Sequence, residues 1–508
     1  MRLNRILVVM LMLLAIVLAG LFILPEKRIP AQGNTGPTAK DSYRFENIPR
    51  GFDYPAEEYK LIAYVDGENR KAIREHAWNL WAGLTAPSRS VWHGQRLPIY
   101  ETWYSSQEVF DDHYKNPTLT DEGRVFRRRF EVPVQALHMH QALGTKAAAV
   151  MAFVKYNQVA RDFIWNKRYY LRATLDETDR NFARNGSPIE QRQVDPFPRT
   201  AVALKLVYWL VKNPDSPQSQ HGLTAFPYWD PNYPPPPNGQ PPTHLTWTKC
   251  VAVDPSGRYP VGSKQRVNCN GTVAIPRYVD AEVVGLDRFY AYQLRTPEEV
   301  EDAKLSSQHV SGSGPHEQEA FVTDPGQIPE LNDYIVLCAM HLTTKEMDNW
   351  TFQTFWWSPT PNASPYGDFR TPNVTGAWAN YPMCTAYSMD TPRTASGGPP
   401  ICFNPYLESD LGPMTSYKLG DKTYPADPMA GTRSNCMNCH VRAAWPFRPP
   451  ASAQTASATA GSDPAQPSSN YGRVFNDGYI APNDPYFAGL TKTDFLWSLV
   501  FLSQPKEP

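Results

Sequence analysis

The chain reads as an α+β protein in three parts. A large loop-rich domain is built around a mainly antiparallel sheet, a small helical segment follows at the C-terminus, and a transmembrane helix stands at the N-terminus. Three observations lead to this. Residues 6–24 (ILVVMLMLLAIVLAGLFIL) carry no charge over about the length that crosses a hydrocarbon core as a helix. Short β-branched and aromatic runs alternate with Pro-rich stretches through the middle of the chain, and 50 Pro, 27 Tyr and 14 Trp among 508 residues are too many for a mostly helical protein. Near the C-terminus, Asp427-Pro428 and Thr491–Ser503 carry helix-start signals.

At the N-terminus, Arg2 and Arg5 precede the apolar run, and Lys27 and Arg28 follow it. Leu21-Phe22-Ile23-Leu24 continue past the small residues Ala19-Gly20, which favours an uncleaved anchor over a signal peptide with its shorter core. The expected organisation is therefore residues 1–29 as anchor or signal, 30–44 as a linker, 45–405 as the α+β domain and 406–508 as the C-terminal segment. With 49 basic against 50 acidic residues the net charge is −1, so no nucleic-acid partner is implied.

Within the large domain, Lys71–Leu84 has a helical apolar stripe through Ile73, Ala77, Leu80 and Trp81. His76 falls off that stripe and is expected in solvent. Arg124, Arg127, Arg128 and Arg129 form the densest basic run, read as an ion-paired face or as a docking patch. His138 and His140 would share one face of a strand, but no third ligand stands at a supporting spacing. Ala147–Asp162 reads as helix. Thr200–Val211 and His244–Val253 read as strands, with a Pro-punctuated loop containing Pro234–Pro237 between them. His309 and His316 belong to a flexible loop, and Ala320 stands where a zinc-protease helix would need its second His. Asp333–Thr344 and Trp350–Trp357 look like central strands of the sheet.

Of seven Cys, Cys250 and Cys269 flank a turn, and Cys384 and Cys402 bracket a loop. Bridging either pair closes a loop of roughly 20 residues, worth about 3 kcal/mol by chain entropy. Cys338 lies within an apolar strand and reads as a small buried hydrophobe.

The sharpest signal is Cys436-Met437-Asn438-Cys439-His440. In C-x-x-C-H, one helical turn carries two thiols to the vinyl groups of one haem and sets the following His under the iron. A disulfide and part of a zinc site are the competing readings. Zinc calls for a second Cys/His pair at similar spacing, which the sequence lacks. A thioredoxin-like site calls for a βαβ context, also lacking.

This motif resembles that of the c-type cytochromes, and the resemblance covers roughly the last 80 residues. It implies one covalent haem c on Cys436 and Cys439, and His440 as proximal iron ligand. It also implies a helix from Pro428 to about Ala444 packed on a second helix at Thr491–Ser503. Because haem attachment in that family happens outside the cytoplasm, it implies that residues 30–508 lie in a periplasm-like space, tethered to the inner membrane. The upstream domain is similar to uncharacterised bacterial cytochrome c family proteins. One departure matters: no Met and no His follows His440, so the usual downstream distal ligand is missing. Upstream candidates are Met340, His341, His138, His140 and His309.

Three functions compete. A haem-c electron carrier exchanging single electrons with periplasmic redox proteins needs the fewest features. A haem-dependent oxidoreductase, peroxidase- or oxygenase-like or a substrate dehydrogenase, would use the large domain to bind a small-molecule substrate. A redox or gas sensor is the third. The motif favours the carrier, and the sequence leaves catalysis open.

Overall fold

The computed structural model describes residues 41–118, 151–215, 222–230, 247–269, 276–304, 328–389, 402–407, 436–446 and 481–505, with short pieces at 121, 124–128, 130, 417–419 and 422–424. The protein is α+β, and its main sheet has seven strands. They are β1 (Tyr104–Ser105), β2 (Met151–Tyr156), β3 (Val202–Val211), β4 (Ala291–Gln293), β5 (Tyr334–Thr344), β6 (Thr351–Trp356) and β7 (Met383–Ala386). Their spatial order is β7-β6-β5-β3-β2-β1, β4 also pairs with β5, and every pairing is antiparallel.

The central strands are long apolar runs because both faces of the sheet are covered. In β5, residues Ile335 through Met340 are all buried. Strand parity sorts the faces. Met340 is opposite Phe355 and Leu206. Phe355 stacks on Trp81 at 4.1 Å, so this face is covered by the helix Arg70–Thr85. The other face carries Phe352, Thr354 and His341, with Asn404 Nδ2 donating to Thr354 Oγ1 at 2.7 Å. A separate four-stranded sheet (Thr224–Pro227, Cys250–Asp254, Tyr278–Gly285, Lys264–Asn268) contains one parallel pair and is clasped by the Cys250–Cys269 disulfide. Cys384–Cys402 is bonded as well, while Cys338 is fully buried in β5.

Two parts of the expected architecture are corrected. Among the described residues no helix is long and apolar enough to cross a membrane, and residues 6–24 lie outside them. Nor do the described residues form a small helical cytochrome-like segment. The described C-terminal pieces contain two helices of five residues, Cys436–His440 and Trp497–Phe501, and a two-residue strand pair, Ala444–Trp445 with Thr491–Lys492.

The physical cause is tertiary. Thr491 does not cap a helix; it pairs with Trp445, and its hydroxyl donates to Asp179 at 2.8 Å. Asp494 and Phe495 adopt left-handed backbone at φ 48° and 68°, which ends any helix through them. Asp494 is buried there because its carboxylate takes the Lys345 ammonium at 2.7 Å and the Phe197 N–H at 2.8 Å. Burial lowers the Lys345 pKa and raises that of Asp494, and their mutual attraction opposes both shifts.

The expected helix over Ala147–Asp162 also divides. Residues 147–150 lie outside the described residues. Met151–Tyr156 pairs with β3 as a strand, and helix begins only at Gln158, with Asn157 accepting the Ala160 N–H as its cap.

Candidate haem-attachment site

The Cys436–His440 helix rests on the sheet face that carries Phe352, and two contacts orient it. The Cys436 N–H donates to the Cys402 carbonyl at 3.0 Å, and the His440 ring lies 4.8 Å from that of Phe352. Met437 is fully buried, and its sulfur accepts from Asn349 Nδ2 at 3.3 Å. The half-buried His440 has Nδ1 2.8 Å from the Phe495 carbonyl oxygen. A carbonyl only accepts, so Nδ1 carries a proton, and in the neutral ring Nε2 then holds the lone pair. That tautomer is the one an iron-ligating imidazole needs, with the second nitrogen tied to a backbone carbonyl.

The acceptor is itself positioned. Phe495 follows Asp494 in the left-handed turn, and the Asp494–Lys345 pair anchors that turn to the end of β5. Sequence reading missed Asp494 and Lys345 as supports of the site. No local signal couples two residues 149 positions apart.

The donor set suits an axial ligand at His440. Cys436 is less prepared: it is 5% exposed, and its Sγ faces the Cys402 carbonyl oxygen at 3.2 Å and the Cys402 sulfur at 3.9 Å. A bond from this sulfur to a vinyl carbon requires it to turn away from Cys402. The side chain of Cys439 lies outside the described residues.

Among the distal candidates, His138, His140 and His309 lie outside the described residues, as does His316. Met340 and His341 separate by parity. Met340 is fully buried against the helix-covered face, away from Phe352. His341 is opposite Thr354, which is opposite Cys384, so the three form one row on the face of Phe352. Two strand spacings separate His341 from Cys384, roughly 10 Å.

The described arginines of the basic run pair within the protein. Arg124 pairs with Glu108 at 2.5 Å, Arg127 with Asp302 at 2.7 Å and Arg128 with the fully buried Glu101 at 3.0 Å, while Arg129 lies outside the described residues. Lys155 also faces Glu101, and burial pushes its pKa down to about 8. His76 is buried rather than solvated, with Nδ1 2.5 Å from the Tyr387 hydroxyl and Nε2 3.4 Å from Glu346. A cavity of about 590 Å³ is lined by Arg288, Thr360, Asn362, Arg370 and Asn380, and includes none of the sequence-predicted residues. Among the described residues, no three His, Cys, Asp or Glu side chains cluster as a metal site.

No protein-family model, curated protein or solved structure matches this chain.

Proposed function

We propose that the protein carries one covalent haem c on Cys436 and Cys439, with His440 as axial ligand, and transfers single electrons to and from redox proteins on the periplasmic side of the bacterial inner membrane. The observation that carries this reading is the Nδ1–H of His440 donating to the Phe495 carbonyl inside a C-x-x-C-H helix. That bond fixes the tautomer and the orientation of the ring, and a hydrogen bond to a ligating imidazole also raises its basicity. The haem would supply one-electron chemistry. The chain supplies the ligand, a nonpolar wall at Phe352 and a buried ion pair that keeps the Phe495 carbonyl in position.

His341 would be the other side chain to hold the iron, because it shares the sheet face of Phe352 and Met340 does not. In the localisation that goes with this function, residues 1–29 direct the chain to the membrane and out of the cytoplasm.

The test is acid–acetone extraction of the purified protein followed by a ferric optical spectrum. Haem is expected to stay with the protein. The spectrum is expected to be low-spin, turning high-spin in H341A at unchanged haem content. Haem moving into the organic phase overturns the attachment, and an H341A spectrum identical to wild type removes His341.

A further inference from the structure

We propose that Cys436, Cys402 and Cys384 form a thiol–disulfide exchange site in which the disulfide migrates from Cys384–Cys402 to Cys402–Cys436. Three observations converge. Cys436 belongs to neither disulfide, and its sulfur touches that of Cys402 at 3.9 Å, too close for any atom to stand between them. The Cys436 N–H to Cys402 carbonyl bond at 3.0 Å holds the two backbones together, so the contact does not depend on one rotamer alone. Cys384 is in register with Thr354 on β7, which keeps the third sulfur on a rigid strand.

The chemistry balances without an external oxidant or reductant. The Cys436 thiolate attacks the Cys402 sulfur, a Cys402–Cys436 bond forms as the Cys384–Cys402 bond breaks, and Cys384 leaves as the thiolate that takes up the proton Cys436 gave up. One disulfide and one thiol are present before and after. The loops closed by the two disulfides span 18 and 34 residues, and loop entropy grows only slowly with length, so neither isomer is excluded on chain entropy. Cys384, Cys402 and Cys436 are buried, at 7%, 1% and 5% exposure, which shields them from outside thiols.

The consequence, which rests on the haem reading, is control of attachment. In one isomer Cys436 keeps the thiol that a vinyl group needs. In the other, Cys436 is withheld and Cys384 is released.

The test uses the full chain produced without haem, quenched in acid, alkylated with N-ethylmaleimide and mapped by mass spectrometry under non-reducing conditions. Both Cys384–Cys402 and Cys402–Cys436 peptides are expected from one wild-type preparation, and only Cys384–Cys402 from C436S. C384S incubated with oxidised glutathione is expected to form Cys402–Cys436. If C384S does not fold, the wild-type map decides. A wild-type map holding Cys384–Cys402 alone, with Cys436 fully alkylated, overturns the proposal. When haem is supplied, C384S is expected to lose the thioether at Cys436. Wild-type protein without haem under every condition would sink the haem reading, while the disulfide map would still decide the exchange.

Discussion

His440 and His113 illustrate how one residue type takes opposite roles according to what surrounds it. His440 is oriented by a single carbonyl and left half-buried. His113 lies in a ring stack, 3.9 Å from Trp165 and nearly parallel to it, with the Arg161 guanidinium over the same indole. Burial first, and Arg161 second, lower the His113 pKa from its usual 6.5 to about 4. Protonation at His113 therefore favours the unfolded chain, in which the pKa returns to its ordinary value. Between pH 6.5 and pH 4 the unfolded state binds more protons than the folded one, so stability falls as the solution is acidified through that window. Thermal melts from pH 7 to pH 4 are expected to show a smaller loss in H113Q than in wild type. Equal losses would mean that His113 is not the sensor.

At the scale of the element, the turn at Asp494-Phe495 decides what the C-terminal stretch becomes. Its residues have helical periodicity, and Thr491–Ser503 would form an amphipathic helix if nothing else acted on it. A buried ion pair and two strand residues override that propensity. Replacing Asp494 by Ala leaves the Lys345 ammonium buried without its carboxylate, which costs about 3–5 kcal/mol. The D494A variant is expected to unfold at correspondingly lower urea, and to hold His440 less rigidly because the Phe495 carbonyl loses its anchor. An unchanged urea midpoint would show that the turn does not depend on the pair. Elsewhere the elements were more legible. The helix Arg70–Thr85 and strands β3, β5 and β6 were readable because long apolar runs or a clear stripe leave one solution for burial. Met151–Tyr156 was not, because alanines and apolar residues read equally well as helix until pairing with β3 is known.

For the molecule as a whole, one hydrophobic cluster runs from Ile48 to Val500 and includes Cys436, Met437, Trp445 and Leu499. Backbone bonds tie the C-terminal residues to distant ones: the Val194 N–H donates to the Lys492 carbonyl at 2.9 Å, and the Arg172 N–H to that of Gln504 at 2.9 Å. The Cys436–His440 helix is too short to be stable alone. It forms because the sheet, the Cys402 segment and the Asp494 turn supply its partners. Expressed alone, residues 406–508 are expected to show no cooperative thermal transition by circular dichroism. A cooperative transition in that fragment would mean that it folds without the sheet.

The amino-acid sequence by itself determined the α+β class, the central strands and the C-x-x-C-H motif, because each rests on local periodicity or spacing, while the structure settled the two disulfide pairings. Only the tertiary structure decided that Thr491–Ser503 is not a single helix. Tertiary contacts also put Met340 on the face covered by the helix and His341 on the face of Phe352, buried His76, and brought Cys436 against Cys402. These outcomes depend on strand register and on ion pairs and contacts between residues far apart in the chain, and local sequence carries no record of such pairings.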